Sequence, residues 1–404
     1  MLSLLEFIVW TADPEVFSWD RWSPRWYGLL FAAGFLISQQ VLFYIFRKEG
    51  HKESDVETLT VFMVIATILG ARLGHVFFYE PAKYLANPLD ILKIWEGGLA
   101  SHGAAIGILF ALFLYSSYDI TYDFVKFKGH IKRQKRPRQS WLWVVDRIVI
   151  VVALTGALIR FGNFMNSEII GKPTNSDYGV VFGHSLKAAL ENNQGIEAVE
   201  IKASDRTTEI PEGPLQSIDS EEGAMSESPY KPVDVIITFA SAGYQEVEIQ
   251  RYLENQVKDI LTRYPSIREH IYEPANTASD YDLAQRRGAF LATVRTFAIP
   301  RHPAQLYESL TTFLVFVLLF FLWIRMKEKT PEGLFLGLFL IFVFGLRFVH
   351  EFFKEDQVAW EGDIPLNMGQ WLSIPLVMVG LFLLFVIVPR NRKKISDEAV
   401  NSQA

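Results

Sequence analysis

Seven stretches of this chain are too long and too apolar to suit anything but a membrane: about residues 27–46, 58–79, 99–117, 141–163, 304–324, 333–353 and 368–389. Inside a bilayer the backbone has no water to bond, so an apolar stretch of about 20 residues has to be a helix. The expected fold is therefore an α-helical integral membrane protein with seven transmembrane helices. The opening MLSLLEFIVWTADPEVF carries no basic segment ahead of its apolar residues. It is read as an interfacial segment lying on the membrane and not as a cleaved signal peptide.

Short loops set the orientation. The 118–140 loop holds seven Lys and Arg, the 47–57 loop opens with Arg47 and Lys48, the 325–332 loop holds Arg325, Lys327 and Lys329, and the tail reads RNRKK. All four fall on one side of a seven-helix path. Positive residues stay inside, so the C-terminus is expected in the cytoplasm, and the N-terminus and 164–303 outside. Residues 182–297 hold 11 basic and 19 acidic side chains, a net −8 against −6 for the whole chain. No basic stripe points to nucleic acid. The expected organisation is a membrane domain over 1–181 with helices one to four, an extracytoplasmic insert over 182–297, membrane helices five to seven over 298–390, and a cytoplasmic tail over 391–404.

The insert reads as a small α/β module. VDVIITFA (233–240), HIYEP and FLATVRTFAIP suggest strands, and VEIQRYLENQVKDILTRYP places apolar residues at 249, 252, 253, 257, 260 and 261, a helical stripe. Residues 205–232 are acidic and rich in Pro, Ser and Gly, the pattern of a loop. The module helps to receive a polypeptide substrate, shields a lipid, or is a decoration without catalytic part.

Within the apolar runs, polar residues gather at the outer helix ends: Tyr27, Arg72, His102, Arg160, Asn163, His302, Gln305, Tyr307, Arg347, Glu351 and Gln370. Tyr79, Trp95 and Trp371 are ordinary interface anchors. Asp146 and Arg147 are read as interfacial or as a local ion pair, and His350 and Lys354 as facing water. Arg160 and Arg347 are different, because each lies inside an apolar run, where an ionised group is costly and marks function. Two guanidinium forks suit a bound anion, and the abundant anion of a membrane is a lipid phosphate.

Four polar segments carry the candidate chemistry. WEGGLASHGAAIG (95–107) leaves His102 among small residues, where an imidazole can take and release a proton; the bland alternative is a satisfied core histidine. RFGNFMNSEIIGKP (160–173) spaces Arg160, Asn163 and Asn166 on one helical face if the helix continues, followed by Glu168 and Gly171. RHPAQLYE (301–308) opens a helix with Pro303 in its first turn and offers His302, Gln305 and Tyr307, with Glu308 able to pair with a basic residue. GLRFVHEFFKED (345–356) sets Arg347 and Glu351 four apart, placed to pair. The chain has no cysteine, which excludes a disulfide, a cysteine nucleophile and a zinc–thiolate site.

Together with PRWYGLL (24–30), GARLGHVFFYEPAKYLANPLDILKIWEGG (70–98) and MGQWLSIP (368–375), these segments resemble prolipoprotein diacylglyceryl transferases over 20–181 and 298–390. The resemblance implies a multi-pass enzyme of the bacterial inner membrane with its active site toward the outer leaflet. Its partners would be phosphatidylglycerol, prolipoprotein signal peptides with a lipobox cysteine, and the surrounding membrane lipids. It would move the diacylglyceryl group onto the cysteine thiol and release glycerol phosphate. Positions matching the family's functional residues are Tyr27, His102, Arg160, Asn163, Glu168, Gly171, Arg347 and Glu351. His102 would be the base, and Arg160 and Arg347 would hold the phosphate. Asn163, Tyr27 and Gly171 would bind the lipid. Glu168 and Glu351 would orient the arginines, with Asn166, Arg72, His302, Gln305 and Tyr307 in support. No metal or cofactor is expected. Three positions depart from the family pattern: Ala104 where a second glycine is usual after the histidine, Ser167 where Asn-Gly-Glu is usual, and Val343 where a tyrosine is frequent. Two other classes stay open on the residues alone. A lipid transporter would also place arginine and histidine in a membrane path, and a scaffold would use the insert as its binding module.

Overall fold

A computed structural model describes residues 7–19, 23–94, 97–98, 100–123, 128–133, 136–206, 228–240, 244–286, 288–355 and 365–393. The protein is a helical membrane protein. Six helices are long and apolar enough to cross a bilayer: Trp26–Lys48, Glu53–Phe78, Trp141–Met165, Ala304–Lys329, Leu334–Phe353 and Met368–Lys393. The remaining apolar run forms a shorter helix of 17 residues, Ser101–Ser117. Trp95, named above as an anchor, and most of the 205–232 loop lie outside the described residues.

The chain folds into two compact units. One comprises Phe31–Ile159, Ser309–Phe348 and Met368–Ala404. Its core is aromatic and aliphatic, with Phe46, Tyr115, Trp323 and Phe335 fully buried. Helices Glu53–Phe78 and Ser101–Ser117 cross through glycines: a Cβ on Gly103 would stand 2.3 Å from the Gly70 carbonyl oxygen. Only small residues allow backbones that close, and in lipid such packing replaces the hydrophobic effect as glue.

Charge inside this core is paired. The fully buried Arg147 meets Glu49 at 3.0 Å, and Glu49 also accepts the Trp323 indole N–H at 2.6 Å. Asp146 accepts the backbone N–H groups of Gly333 (2.7 Å) and Leu336 (2.8 Å), capping the start of the Leu334–His350 helix. The reading of Asp146 and Arg147 as interfacial or as a local pair is therefore corrected. Each is fully buried and serves a partner far away in sequence, because an unpaired buried charge is too costly. Strands Tyr118–Asp123 and Lys128–Arg133 form an antiparallel hairpin within the basic loop.

The other unit comprises Met1–Leu30, Arg160–Glu308 and Val349–Asn367. Its centre is an antiparallel sheet in which Lys231–Phe239 lies between Ile196–Ala203 and Ala289–Ala298. The far side of Ala289–Ala298 pairs with Ile271–Tyr272 and Asp280–Arg286. Val233, Val235, Ile237 and Phe239 alternate into the core, the period of a strand with one buried face. Leu186 and Leu190 from helix His184–Glu191, with Ile249, Leu253, Val257 and Leu261 from the helical stretch 246–263, pack into the same cluster. Strands and helices both occur within 182–297, and the compact unit that holds them extends beyond those bounds. The N-terminal segment does not behave as expected. Ile8–Trp10 pairs in parallel with Val180–Phe182, Phe7 is buried in the sheet core, and Trp10 packs on Phe164 at 4.6 Å.

Candidate active site

The helix Trp141–Met165 ends in a tight reversal. Asn166 N–H bonds to the Gly162 carbonyl (3.0 Å), Ser167 to Phe164 (3.0 Å) and Glu168 to Asn163 (2.9 Å). Ser167 and Ile169 take left-handed backbone angles, φ 56° and 57°. The reversal carries Glu168 back over the helix end, where its carboxylate accepts the side-chain amides of Asn163 (3.3 Å) and Asn166 (3.2 Å). Gln305 donates to the Glu168 carbonyl at 2.6 Å, and the Asn166 amide oxygen accepts the Tyr27 backbone N–H at 3.4 Å. The expected Arg160–Asn163–Asn166 stripe is thus cut at Met165, and its asparagines close on Glu168. Because the Asn163 and Gln305 amide N–H groups both point at Glu168, their carbonyl oxygens must point away. Both are buried and accept no protein hydrogen bond among the described residues.

Arg160 is held by a different carboxylate from the one expected. Its Nε lies 2.7 Å from Glu308. The other Glu308 oxygen takes Lys354 Nζ at 2.7 Å, and the same Nζ reaches Glu351 at 2.9 Å. Asn367 donates to the remaining Glu351 oxygen at 3.2 Å. The result is an alternating string, Arg160–Glu308–Lys354–Glu351, whose last three members are 5 %, 2 % and 6 % exposed. Glu168, expected to orient the arginine, accepts from the two asparagines, and the carboxylate at Arg160 is that of Glu308. Lys354 and His350, read as facing water, are both buried. The signal for Glu308 was present, a carboxylate one turn into an apolar helix. For Lys354 it was weaker, a spacing of three from Glu351 that normally marks an exposed helix pair.

Gly171 has a packing reason. Its N–H bonds to the His302 carbonyl at 3.1 Å, and an added Cβ would lie 2.4 Å from that oxygen and 2.7 Å from the Phe353 carbonyl. Three backbone segments cross at this residue, which excludes any side chain. Arg301 secures the crossing by donating to the Gly171 carbonyl (3.2 Å) and twice to the Glu269 carbonyl (2.9 and 2.7 Å), and by pairing with Glu355. His302 Nδ1 lies 3.1 Å from the Tyr307 hydroxyl, and its ring meets Phe353 edge-on. Burial lowers the His302 pKa, which favours the neutral ring.

Arg72, His102 and Arg347 belong to the other compact unit. Arg72 is spent on backbone: it donates to the carbonyls of Asp90 (2.6 Å), Gly97 (2.7 Å), Ile91 (2.8 Å), Lys93 (3.1 Å) and Gly98 (3.3 Å). It thereby fixes the segment leading to His102. His102 is the second residue of Ser101–Ser117, exposed, stacked on Tyr79 at 5.7 Å and edge-on to Phe78 at 5.7 Å. It lies at the protein surface, unlike a satisfied core histidine. Arg347 lies in the last turn of Leu334–His350 and is half-buried.

A sequence profile of the prolipoprotein diacylglyceryl transferase family matches residues 14–386. The chain belongs to that family. Among its relatives, a phosphatidylglycerol–prolipoprotein diacylglyceryl transferase of Tolumonas auensis is 32% identical over 379 residues, covering 94% of this chain and 97% of the relative. Proteins of the same name from Chloroherpeton thalassium and Porphyromonas gingivalis are each 31% identical, covering 94% and 95% of this chain and 94% and 95% of their own lengths. For a prolipoprotein diacylglyceryl transferase, the unusual Ser167 now has a physical reading. Its left-handed backbone suits the glycine of the Asn-Gly-Glu pattern, and the serine hydroxyl is buried without a protein partner among the described residues. Ala104, the other small-residue change, leaves the close crossing at Gly103 intact.

Proposed function

We propose that this protein transfers the sn-1,2-diacylglyceryl group of phosphatidylglycerol to the lipobox cysteine of prolipoproteins, the first step of bacterial lipoprotein maturation. The observation that carries the reading is the buried alternating string that holds the Arg160 guanidinium beside the Asn163–Asn166–Glu168 turn. Its setting is a family whose named members act on these substrates.

In this reading the enzyme is an inner-membrane protein with its N-terminus outside, Ser101–Ser117 as a seventh crossing and the α/β unit in the periplasm. At 1.5 Å per residue the short helix spans about 26 Å, close to the hydrocarbon thickness. The site faces the outer leaflet. His102 takes the thiol proton, since only the thiolate is a useful nucleophile. The thiolate attacks the glycerol carbon that carries the phosphate, a C–S bond forms, and the C–O bond breaks. Glycerol phosphate leaves with the electron pair. Arg160 and Arg347 bind the phosphate and stabilise its growing charge in a low-dielectric site. Asn163 and Tyr27 fix the lipid, while Glu308, Lys354 and Glu351 hold Arg160 in position. Transport or scaffolding would leave phosphatidylglycerol intact.

The test is mass spectrometry of a synthetic lipobox peptide incubated with purified protein in phosphatidylglycerol vesicles. The expected product is a diacylglyceryl adduct on cysteine, absent from a Cys→Ser peptide. Folded protein that leaves both peptide and lipid unchanged refutes the transferase reading.

A further inference from the structure

The membrane unit contains a half-open cavity of about 210 Å³. It is walled by four helices, Trp26–Lys48, Glu53–Phe78, Ser101–Ser117 and Trp141–Met165, and lies wholly within one compact unit. Phe31, Phe35, Leu42, Met63, Val152 and Ile159 form most of its apolar wall. The few polar groups on the wall are satisfied among themselves or by backbone. The Ser38 and Thr155 hydroxyls lie 2.8 Å apart, Gln39 donates to Thr60 at 3.4 Å, and Thr67 donates to the Met63 carbonyl at 2.7 Å. Such a wall carries no charged side chain and is mostly apolar.

We propose that this cavity seats one fatty-acyl chain of the lipid substrate and limits its length. The inference rests on the transferase reading for the identity of that lipid. Three observations favour a single acyl chain. The lining from Phe31 to Leu42 follows one helix for 11 residues, about 16 Å at 1.5 Å per residue, which suits a polymethylene chain. A signal-peptide helix, about 10–12 Å across with its side chains, does not enter a space of 210 Å³. The lining on helix Trp141–Met165 also ends at Ile159, the residue before Arg160, to which the transferase reading gives the phosphate. The floor is the opposite end, where Gln39, Leu42, Thr60 and Met63 meet. A chain longer than the cavity has to bend at that floor or stay outside.

The test uses detergent-purified full-length protein and phosphatidylglycerols of defined chain length, reading the ratio of kcat/KM for sixteen-carbon over eight-carbon lipid. Thr60→Phe, which fills the floor, is expected to lower that ratio at least tenfold, and Met63→Ala, which deepens it, to raise the ratio for eighteen over sixteen carbons. Unchanged ratios in both variants overturn the proposal. A second readout is independent of turnover: photolabelling with a phosphatidylglycerol carrying a diazirine near one chain end. Label on Val152 or Thr155 supports the cavity, and label confined to outward-facing residues such as Leu36 and Phe385 overturns it. If the parent protein transfers nothing to a lipobox peptide, the transferase reading fails, and the photolabel alone decides the cavity.

Discussion

Replacing Lys354 by methionine removes a cation that stands between two buried carboxylates. Lys354 Nζ lies 2.7 Å from Glu308 and 2.9 Å from Glu351, and the three side chains are 3%, 7% and 6% exposed. Methionine keeps most of the apolar stem and deletes the charge. Taking one partner out of a buried ion pair costs about 3–5 kcal/mol. Arg160 still faces Glu308 and Asn367 still faces Glu351, so the lower end, about 3 kcal/mol, is expected for Lys354→Met. Glu308 then loses the contact that fixes its second oxygen, and Arg160 loses its fixed geometry. A tenfold fall in kcat corresponds to about 1.4 kcal/mol of transition-state stabilisation and is the smallest effect expected. Stability is read by denaturant unfolding in detergent micelles and activity by diacylglyceryl transfer per folded molecule. Lys354→Arg, which keeps the cation, is expected to recover most of both. Parental unfolding by Lys354→Met refutes the energetic argument. Lower stability with unchanged kcat refutes the claim that the string positions Arg160.

Four further outcomes are expected. Ser167→Gly relieves a left-handed serine and its buried hydroxyl, and should raise stability by about 1 kcal/mol in the same unfolding assay. His270 is buried and its pKa is pushed down to about 3, chiefly by burial and also by Arg301. Because the folded pKa lies below the unfolded one, the stability is fully present above pH about 6.5 and is lost progressively as pH falls from there toward the folded value. The α/β unit should weaken by about 2 kcal/mol between pH 7.5 and 5, and His270→Phe should flatten that slope. Arg160→Lys replaces a fork by a point charge and should not restore parental transfer rates in vesicles; full rates in this variant remove the clamp. His102→Gln should keep folding and lipid binding while abolishing turnover, and surviving turnover would move the base elsewhere.

Much of this protein was legible in order of residues alone. The apolar runs specify helices because a bilayer leaves the backbone no other partner, and six of them form helices long enough to cross it. The alternation in VDVIITFA and the stripe at 249–261 fixed a strand and a helical stretch, since burial on one face imposes the period of each element. Arg160 and Arg347 stood out because a charge in an apolar run has to be explained. Pairing was a different matter. Arg160 takes Glu308 from 148 positions away, Arg147 takes Glu49 across 98, and Asp146 caps a helix 187 residues on. Local spacing suggested nearer partners, and a short separation guarantees reach but not direction. The same holds for Gly171, whose need for glycine arises only where the His302 and Phe353 carbonyls close on it. Sequence determines which groups cannot be left in lipid unpaired; the tertiary fold decides which distant group satisfies each, because only packing brings those backbones and side chains within 3 Å.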